Sequence, residues 1–202
     1  MGAHVAIVNC GGANIASLSN ALDRLGANSE LTTDACVIRN ASHVILPGVG
    51  AAADAMQRIE ENDLISVITG LEQPVLGICL GMQLLAGSSE EDDVACLGVV
   101  PGSVEKLQAT PEAPVPNMGW CRVQQTDAHA MFAGIDADSY FYFVHSFALP
   151  ADEYTIATAN HSAPFSAALA RDNFIAAQFH PCLLYTSPSP RDTERSRMPS
   201  SA

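Results

Sequence analysis

The sequence predicts an α/β fold: a mostly parallel central sheet flanked by helices, with additional antiparallel strands in the second half. Three observations predict it. Short, largely apolar runs recur at residues 4–8, 43–46 and 74–78, as expected of strands covered on both faces. Stretches with apolar residues at three- and four-residue spacing lie between them. Beyond residue 98 the pattern changes to short β-branched and aromatic runs divided by turn residues.

Taken in order, His4-Val5-Ala6-Ile7-Val8 is the first buried strand. Asn14 is placed to cap a helix with Ile15, Leu18, Leu22 and Leu25 on its apolar face, and Gly26 to close it. His43-Val44-Ile45-Leu46 is a second strand, and Pro47-Gly48-Val49-Gly50 a turn. Residues 51–61 and 64–69 read as helical, and Pro74-Val75-Leu76-Gly77-Ile78 as the next strand. This βαβα order implies parallel pairing. Later strands are expected at Val99-Val100, residues 120–123, 140–144, 155–157 and 165–170, with turns at Pro101-Gly102 and residues 136–138. A last strand, residues 174–179, delivers His180.

The totals narrow the function. With 202 residues the chain holds one domain with a substantial core. No apolar run approaches the roughly 18 residues needed to cross a bilayer. The start lacks a basic segment, so no signal peptide is expected. A net charge of −13, with Lys106 the only lysine, argues against nucleic-acid binding through a basic surface. The six cysteines are scattered without a C-x-x-C pair, and the α/β pattern builds its own core, so reduced thiols and a cytoplasmic location are expected. The histidines are equally dispersed; no metal spacing is found and no cofactor is expected. The acidic run Glu90-Glu91-Asp92-Asp93 reads as a solvated loop. The opening turn at residues 9–14 lacks a phosphate-loop pattern and reads as structural.

The chemistry is concentrated in Gly77-Ile78-Cys79-Leu80-Gly81. Here an apolar strand meets a helix-like stretch, residues 81–86, in the G-x-nucleophile-x-G elbow pattern with cysteine as nucleophile. A sharp turn lifts one side chain above the sheet edge, and a helix start behind the sulfur favours the thiolate. A buried structural cysteine is the alternative, and the two glycines weigh against it. A thiolate nucleophile needs a base to take and return its proton, and an orienter for that base. His180, at the end of the last strand and before Pro181, is the candidate base.

These residues resemble those of class I (triad) glutamine amidotransferases, which have a flavodoxin-like sheet. The likeness runs over residues 4–181. Gly77-Ile78-Cys79-Leu80-Gly81-Met82-Gln83 and Phe179-His180-Pro181 match the superfamily. Three further motifs are similar to the glutaminase subunits of imidazole glycerol phosphate synthases: residues 46–50 (LPGVG), 116–120 (PNMGW) and 142–147 (YFVHSF). The opening Asn9-Cys10-Gly11-Gly12-Ala13-Asn14 departs from the usual Asp-Tyr-Gly-x-Gly-Asn.

The resemblance implies that Cys79 attacks the side-chain amide of glutamine, forming a glutamyl thioester, with His180 moving the proton. It implies oxyanion donors at the Leu80 N–H and the Gly48-Val49 peptide. Gln83 and the backbone of His145, Ser146 and Phe147 would hold the substrate, while Tyr142 and Val144 are expected in the core. Met118 and Trp120 either face the partner or pack inside. The partner implied is a (β/α)₈-barrel synthase subunit that uses the ammonia in histidine biosynthesis, forming a heterodimer. His4, His43, His129 and His161 match no role and read as surface or capping residues. Alternatives with the same fold are a glutaminase subunit of anthranilate, aminodeoxychorismate or guanylate synthesis. A further alternative is a catalytically dead regulatory subunit.

The third catalytic member of the family is a glutamate two positions after the histidine, and here that position is Cys182. From Cys182 to Ala202 the composition breaks into a Ser/Arg/Pro-rich run similar to a translated sequencing adapter. The expected amidotransferase domain is therefore residues 1–181, incomplete at its C-terminus, with a disordered, non-native 182–202 and impaired activity.

Overall fold

The computed structural model of the chain describes residues 3–11, 15–126, 128–137 and 139–180. Asn14, Asp138, Pro181 and Cys182 to Ala202, and the readings placed on them, lie outside the described residues. In the first half, strands β1 (His4–Val8), β2 (Asn28–Thr32), β3 (His43–Gly48) and β4 (Val75–Cys79) alternate with helices α1 (Ile15–Arg24), α2 (Ala35–Asn40), α3 (Ala52–Glu61) and α4 (Ile65–Thr69). A single turn, α5 (Leu80–Gln83), follows β4 directly. The second half carries short strands β5 (Ser88–Ser89), β6 (Val94–Ala95), β7 (Ser103–Lys106), β8 (Asn117–Arg122) and β9 (Gln124–Gln125). Then come β10 (Tyr140–His145), β11 (Phe147–Ala148), β12 (Thr155–Asn160), β13 (Pro164–Arg171) and β14 (Phe174–Ala177).

The main sheet has the order β2-β1-β3-β4-β14-β13-β12-β9. Its first five strands pair in parallel and the last three join antiparallel. The α/β fold expected from the apolar runs is what forms: β1 and β4 are buried along most of their length because helices cover both faces. Two smaller sheets, the ribbon β10-β8 and the set β11-β7-β5-β6, sit outside it.

Several elements differ from expectation for identifiable reasons. Strand β2 and helix α2 carry no clear signal in the sequence. The former (NSELT) is a polar edge strand with only Thr32 buried. The latter has six residues, too few to show a period, and starts because Asp34 Oδ1 accepts from the Cys36 and Val37 N–H groups at 2.7 and 3.3 Å. Leu25 is not on the apolar face of α1; it is 81% exposed in the closing turn, where Gly26 takes φ 73°. Strand β3 runs on through Pro47 and Gly48 rather than stopping at Leu46. The helix expected over 81–86 ends at Gln83: the Leu85 and Ala86 N–H groups tighten to i−3 acceptors, the Met82 and Gln83 carbonyls, and the carbonyls of Leu84, Leu85 and Ala86 accept from Leu97, Val100 and Gly98. The same bonds keep Val99-Val100 from forming a strand, and Arg171 donates to the Val99 carbonyl.

Ribbon β10-β8 also corrects a parity. Phe141, Phe143 and His145 point inward, whereas Val144 is 37% exposed and Tyr142 half-buried. Phe141 and Phe143 pack with Phe179, at centroid distances of 4.2 and 5.8 Å, in a cluster that includes Phe132, Ile156 and Phe165. This cluster pins the backbone just before His180.

Candidate active site

The elbow forms because the chain reverses against its own sheet. Cys79 ends β4 with φ 56° and ψ −113°, a conformation a residue with a Cβ enters only under strain. A Cβ on Gly81 would lie 1.7 Å from the Leu46 carbonyl oxygen, and one on Gly77 would lie 2.9 Å from the Gly81 oxygen. Both glycines are therefore required for β4, β3 and α5 to meet so closely. The helix behind the sulfur is one turn, so it carries little of the dipole expected of a full helix there.

Register brings the second group to the sulfur. Strands β4 and β14 are parallel neighbours with Ala177 opposite Ile78, so the chain after β14 emerges beside Cys79. Gln178 and His180 follow with alternate anchors: the Gln178 N–H donates to Ala167 at 2.9 Å and the His180 N–H to Tyr142 at 3.1 Å. Phe179 between them is buried in the aromatic cluster. Cys79 and His180 thus line one cleft of about 310 Å³, together with Val49, Gly50, Leu80, Gln83 and Glu91 and the segment Val144 to Phe147. Burial lowers the basicity of His180, which keeps its imidazole neutral, the form that can accept a proton. Its Nε2 is buried without a hydrogen-bond partner among the described residues.

Gly48 lies opposite Cys79 in the β3-β4 pairing, so the Gly48-Val49 peptide borders the sulfur side of the cleft. The Cys10 thiol donates to the Pro47 carbonyl at 2.9 Å and holds the entry to that peptide. Gly50, at φ 97°, turns the chain away into α3. Leu80 starts α5 and lines the same cleft.

Gln83 is buried, and its amide Nε2 is committed to the wall: it donates to the Phe147 carbonyl at 2.8 Å and to Gln178 Oε1 at 2.9 Å. His145 is a wall member too. It bridges Asn117 Nδ2 (2.9 Å) and the Phe147 carbonyl (2.9 Å), which a carbonyl acceptor on Nδ1 makes the neutral Nδ1–H form. Burial depresses its pKa to about 4.

Three of these residues escape sequence reasoning. In the sequence Gln178 reads only as part of a strand, although it stands two positions before His180. Asn117 falls within a motif that gives it no role of its own. Glu91 reads as part of a solvated loop; instead its carboxylate accepts the Ala52 N–H at the start of α3 (2.9 Å), and its pKa is raised by burial. Glu90 is tied too, accepting from the Lys106 N–H at 2.8 Å. The remaining histidines lie away from the cleft lining: His4 pairs with Glu30 (3.7 Å), His43 meets Ser42 (3.1 Å), His129 caps a short 3₁₀ turn and His161 meets the Pro114 carbonyl (2.7 Å). Among the described residues, Cys10, Cys36, Cys79, Cys96 and Cys121 are all free thiols. Burial pushes Cys10 and Cys96 up to about 11, which makes both poor nucleophiles.

The family model for glutamine amidotransferase class-I matches residues 6–193. The chain is 48% identical over 177 residues to imidazole glycerol phosphate synthase subunit HisH 2 of Legionella pneumophila (strain Lens), covering 88% of this chain and 89% of that one. It is 47% identical over 184 residues to imidazole glycerol phosphate synthase subunit HisH of Vibrio cholerae, covering 88% and 90%. Among solved structures, a glutamine amidotransferase superposes with a TM-score of 0.68 at 17% identity, covering 95% of each chain. A glutamine amidotransferase from Thermotoga maritima superposes with a TM-score of 0.63 at 19% identity, covering 89% of this chain and 76% of that one. At such identities these likenesses carry the fold. The family match over most of the sequence carries the membership: this chain belongs to the class-I glutamine amidotransferases.

Proposed function

We propose that the chain is the glutaminase subunit of an imidazole glycerol phosphate synthase, releasing ammonia from glutamine for a separate (β/α)₈-barrel synthase subunit. The observation that carries this reading is the strained Cys79 elbow facing the same cleft as His180. The Cys79 sulfur attacks the side-chain carboxamide carbon, and its proton passes to His180. The oxyanion that forms takes N–H donors from Leu80 and the Gly48-Val49 peptide. His180 returns the proton to the leaving nitrogen, the C–N bond breaks, and ammonia departs. Water then attacks the thioester carbonyl, His180 accepts its proton, and glutamate leaves as the thiol reforms.

The wall supplies the binding groups. Gln83 helps hold the glutamine, and the backbone of His145, Ser146 and Phe147 binds its amino-acid end. Glu91, the one carboxylate lining the cleft among the described residues, faces the substrate ammonium. The partner docks on the ribbon β10-β8, where Met118 (64%), Trp120 (44%) and Tyr140 (47%) are exposed; this exposure favours the partner role of Met118 and Trp120 over the core alternative. The high identity to subunits of one named synthase supports this pathway over anthranilate, aminodeoxychorismate or guanylate synthesis.

Position 182 stays part of the proposal. Cysteine there cannot hold an imidazole as a carboxylate does, and loss of a triad orienter costs about 10⁴ in kcat in the serine-protease example. The test is ammonia release from glutamine by the chain with a HisH-compatible barrel subunit. Cys79→Ala should abolish it, and Cys182→Glu should raise it. Release that survives Cys79→Ala would overturn the mechanism. Labelling of Cys79 by the glutamine analogue 6-diazo-5-oxo-norleucine separates a weak enzyme from a purely regulatory subunit, which would take no label.

A further inference from the structure

Behind Cys79 lies a buried amide that neither the Phe179-His180-Pro181 motif nor the reaction scheme above uses. Gln178 is fully buried, and its Nε2 lies 3.7 Å from Cys79 Sγ. Which end of an amide faces a neighbour is normally ambiguous, and here the surrounding bonds decide it. The Phe147 carbonyl can only accept, so it requires the Gln83 nitrogen beside it (2.8 Å). The same nitrogen then donates to Gln178 at 2.9 Å, which fixes the oxygen of Gln178 on that side and its NH₂ toward the sulfur. The Phe147 carbonyl is itself held by the Nδ1–H of His145, whose other nitrogen meets Asn117. The Gln178 backbone is held by its bond to Ala167, and its side chain is fully buried with its oxygen bound to Gln83.

We infer that Gln178 is a further catalytic residue: its amide N–H donates to the Cys79 sulfur and stabilises the thiolate, with Gln83 and the Phe147 carbonyl as positioning groups that hold the amide in that orientation. An N–H donor in a water-poor wall favours the charged acceptor over the neutral thiol, since the bond to an anion is the stronger. The arrangement takes over the role of a helix dipole, which a single turn such as α5 is too short to supply. It also explains a fully buried polar side chain beside the nucleophile, where an apolar residue would pack as well. The chemistry it serves rests on the glutaminase reading; the contact with the sulfur does not.

The test is the pH dependence of Cys79 alkylation by iodoacetamide in the full chain, read by mass spectrometry of the Cys79 peptide. Exposed Cys36 serves as the internal control for the reagent. Gln178→Met keeps length and volume but removes the donor, and should move the Cys79 midpoint up by about one pH unit without moving that of Cys36. Gln178→Glu keeps an acceptor for Gln83 while replacing the donor by a carboxyl group, and should move the midpoint at least as far. Gln83→Leu, which frees the amide to rotate, should produce a smaller shift in the same direction. Circular dichroism melts identify any variant that fails to fold, and the folded ones are scored. Unchanged midpoints in folded Gln178→Met or Gln178→Glu overturn the inference. Labelling of wild-type Cys79 by 6-diazo-5-oxo-norleucine is read in parallel. Labelling with no shift in the variants sinks the role of Gln178 alone; a shift without labelling sinks the glutaminase reading and leaves the contact standing.

Discussion

Cys79 holds its strained angles because the residues around it leave no other path. With φ 56° and ψ −113°, any side chain at this position is under strain, and only glycine escapes it. Two small substitutions separate this strain from packing. Cys79→Gly should be more stable than Cys79→Ala by about 1 kcal/mol, because only the alanine keeps a Cβ at these angles. Urea titration of the pair checks it; equal midpoints would mean the elbow is relaxed. Gly81→Ala belongs to a different class. Its Cβ would stand 1.7 Å from a backbone oxygen that cannot yield, so the substitution should cost about 3 kcal/mol or more, the upper part of the overpacking range. Much of this residue-scale logic is legible in the sequence, since two glycines bracketing a strand-end cysteine point to a tight turn that presents the sulfur. What is not legible is the wall behind the sulfur. Gln83, Gln178 and Phe147 are 64 and 95 positions apart in their pairings, and no local pattern announces an amide-to-amide bond.

At the scale of elements, the strands of the ribbon β10-β8 are legible in the sequence, but its inward parity and the role of the loop carrying Glu91 are not. Alternation in Tyr-Phe-Tyr-Phe-Val-His carries no polarity contrast, since both faces are aromatic or apolar, so the buried parity is set by the partner cluster around Phe165 and Phe179. Its inward histidine makes the ribbon sensitive to acid. His145 is held neutral with its pKa lowered to about 4, whereas an unfolded histidine titrates near 6.5. Between these values the unfolded chain binds the extra proton. The stabilisation is therefore fully present above about pH 6.5 and is lost as pH falls toward 4. The change amounts to about 3 kcal/mol at 1.36 kcal/mol per unit. His145→Gln should flatten stability over that window, measured by urea melts at a series of pH values. A slope equal to that of the wild type would show that His145 is not the group responsible. The Glu91 loop makes a second claim at this scale. Its carboxylate caps α3 through the Ala52 N–H and also lines the cleft, so Glu91→Gln should lower stability by about 1 kcal/mol. If it also meets the substrate ammonium, KM for glutamine should rise on the order of tenfold with kcat little changed.

For the whole molecule, the parallel sheet and the ribbon divide two tasks. The sheet sets register: β3, β4 and β14 bring Gly48, Cys79 and the approach to His180 to one end, as the βαβ order implies from sequence. The ribbon lies at the mouth of that end and shows an apolar face formed by Met118, Trp120, Tyr140 and Val144, where an exposed cluster of large side chains marks an interaction site. Trp120 is braced edge-on against Tyr142 at 5.9 Å, so it is presented rigidly and loses little entropy on docking. If the proposed barrel subunit docks here, Trp120→Ala should weaken that association by about 2 kcal/mol, a roughly 30-fold rise in Kd, while leaving the melting temperature of the isolated chain nearly unchanged. Met118→Glu should act in the same direction by placing a charge in the patch. Titration calorimetry with the purified barrel subunit distinguishes the outcomes. Tight association by both variants would place the partner on another face, and with it the exit taken by ammonia. Loss of binding together with loss of the folded baseline would assign the two side chains to the stability of the ribbon instead. The first pattern, weak binding by a fully folded chain, is the one expected of a surface whose apolar side chains are exposed in the free subunit and covered in the complex.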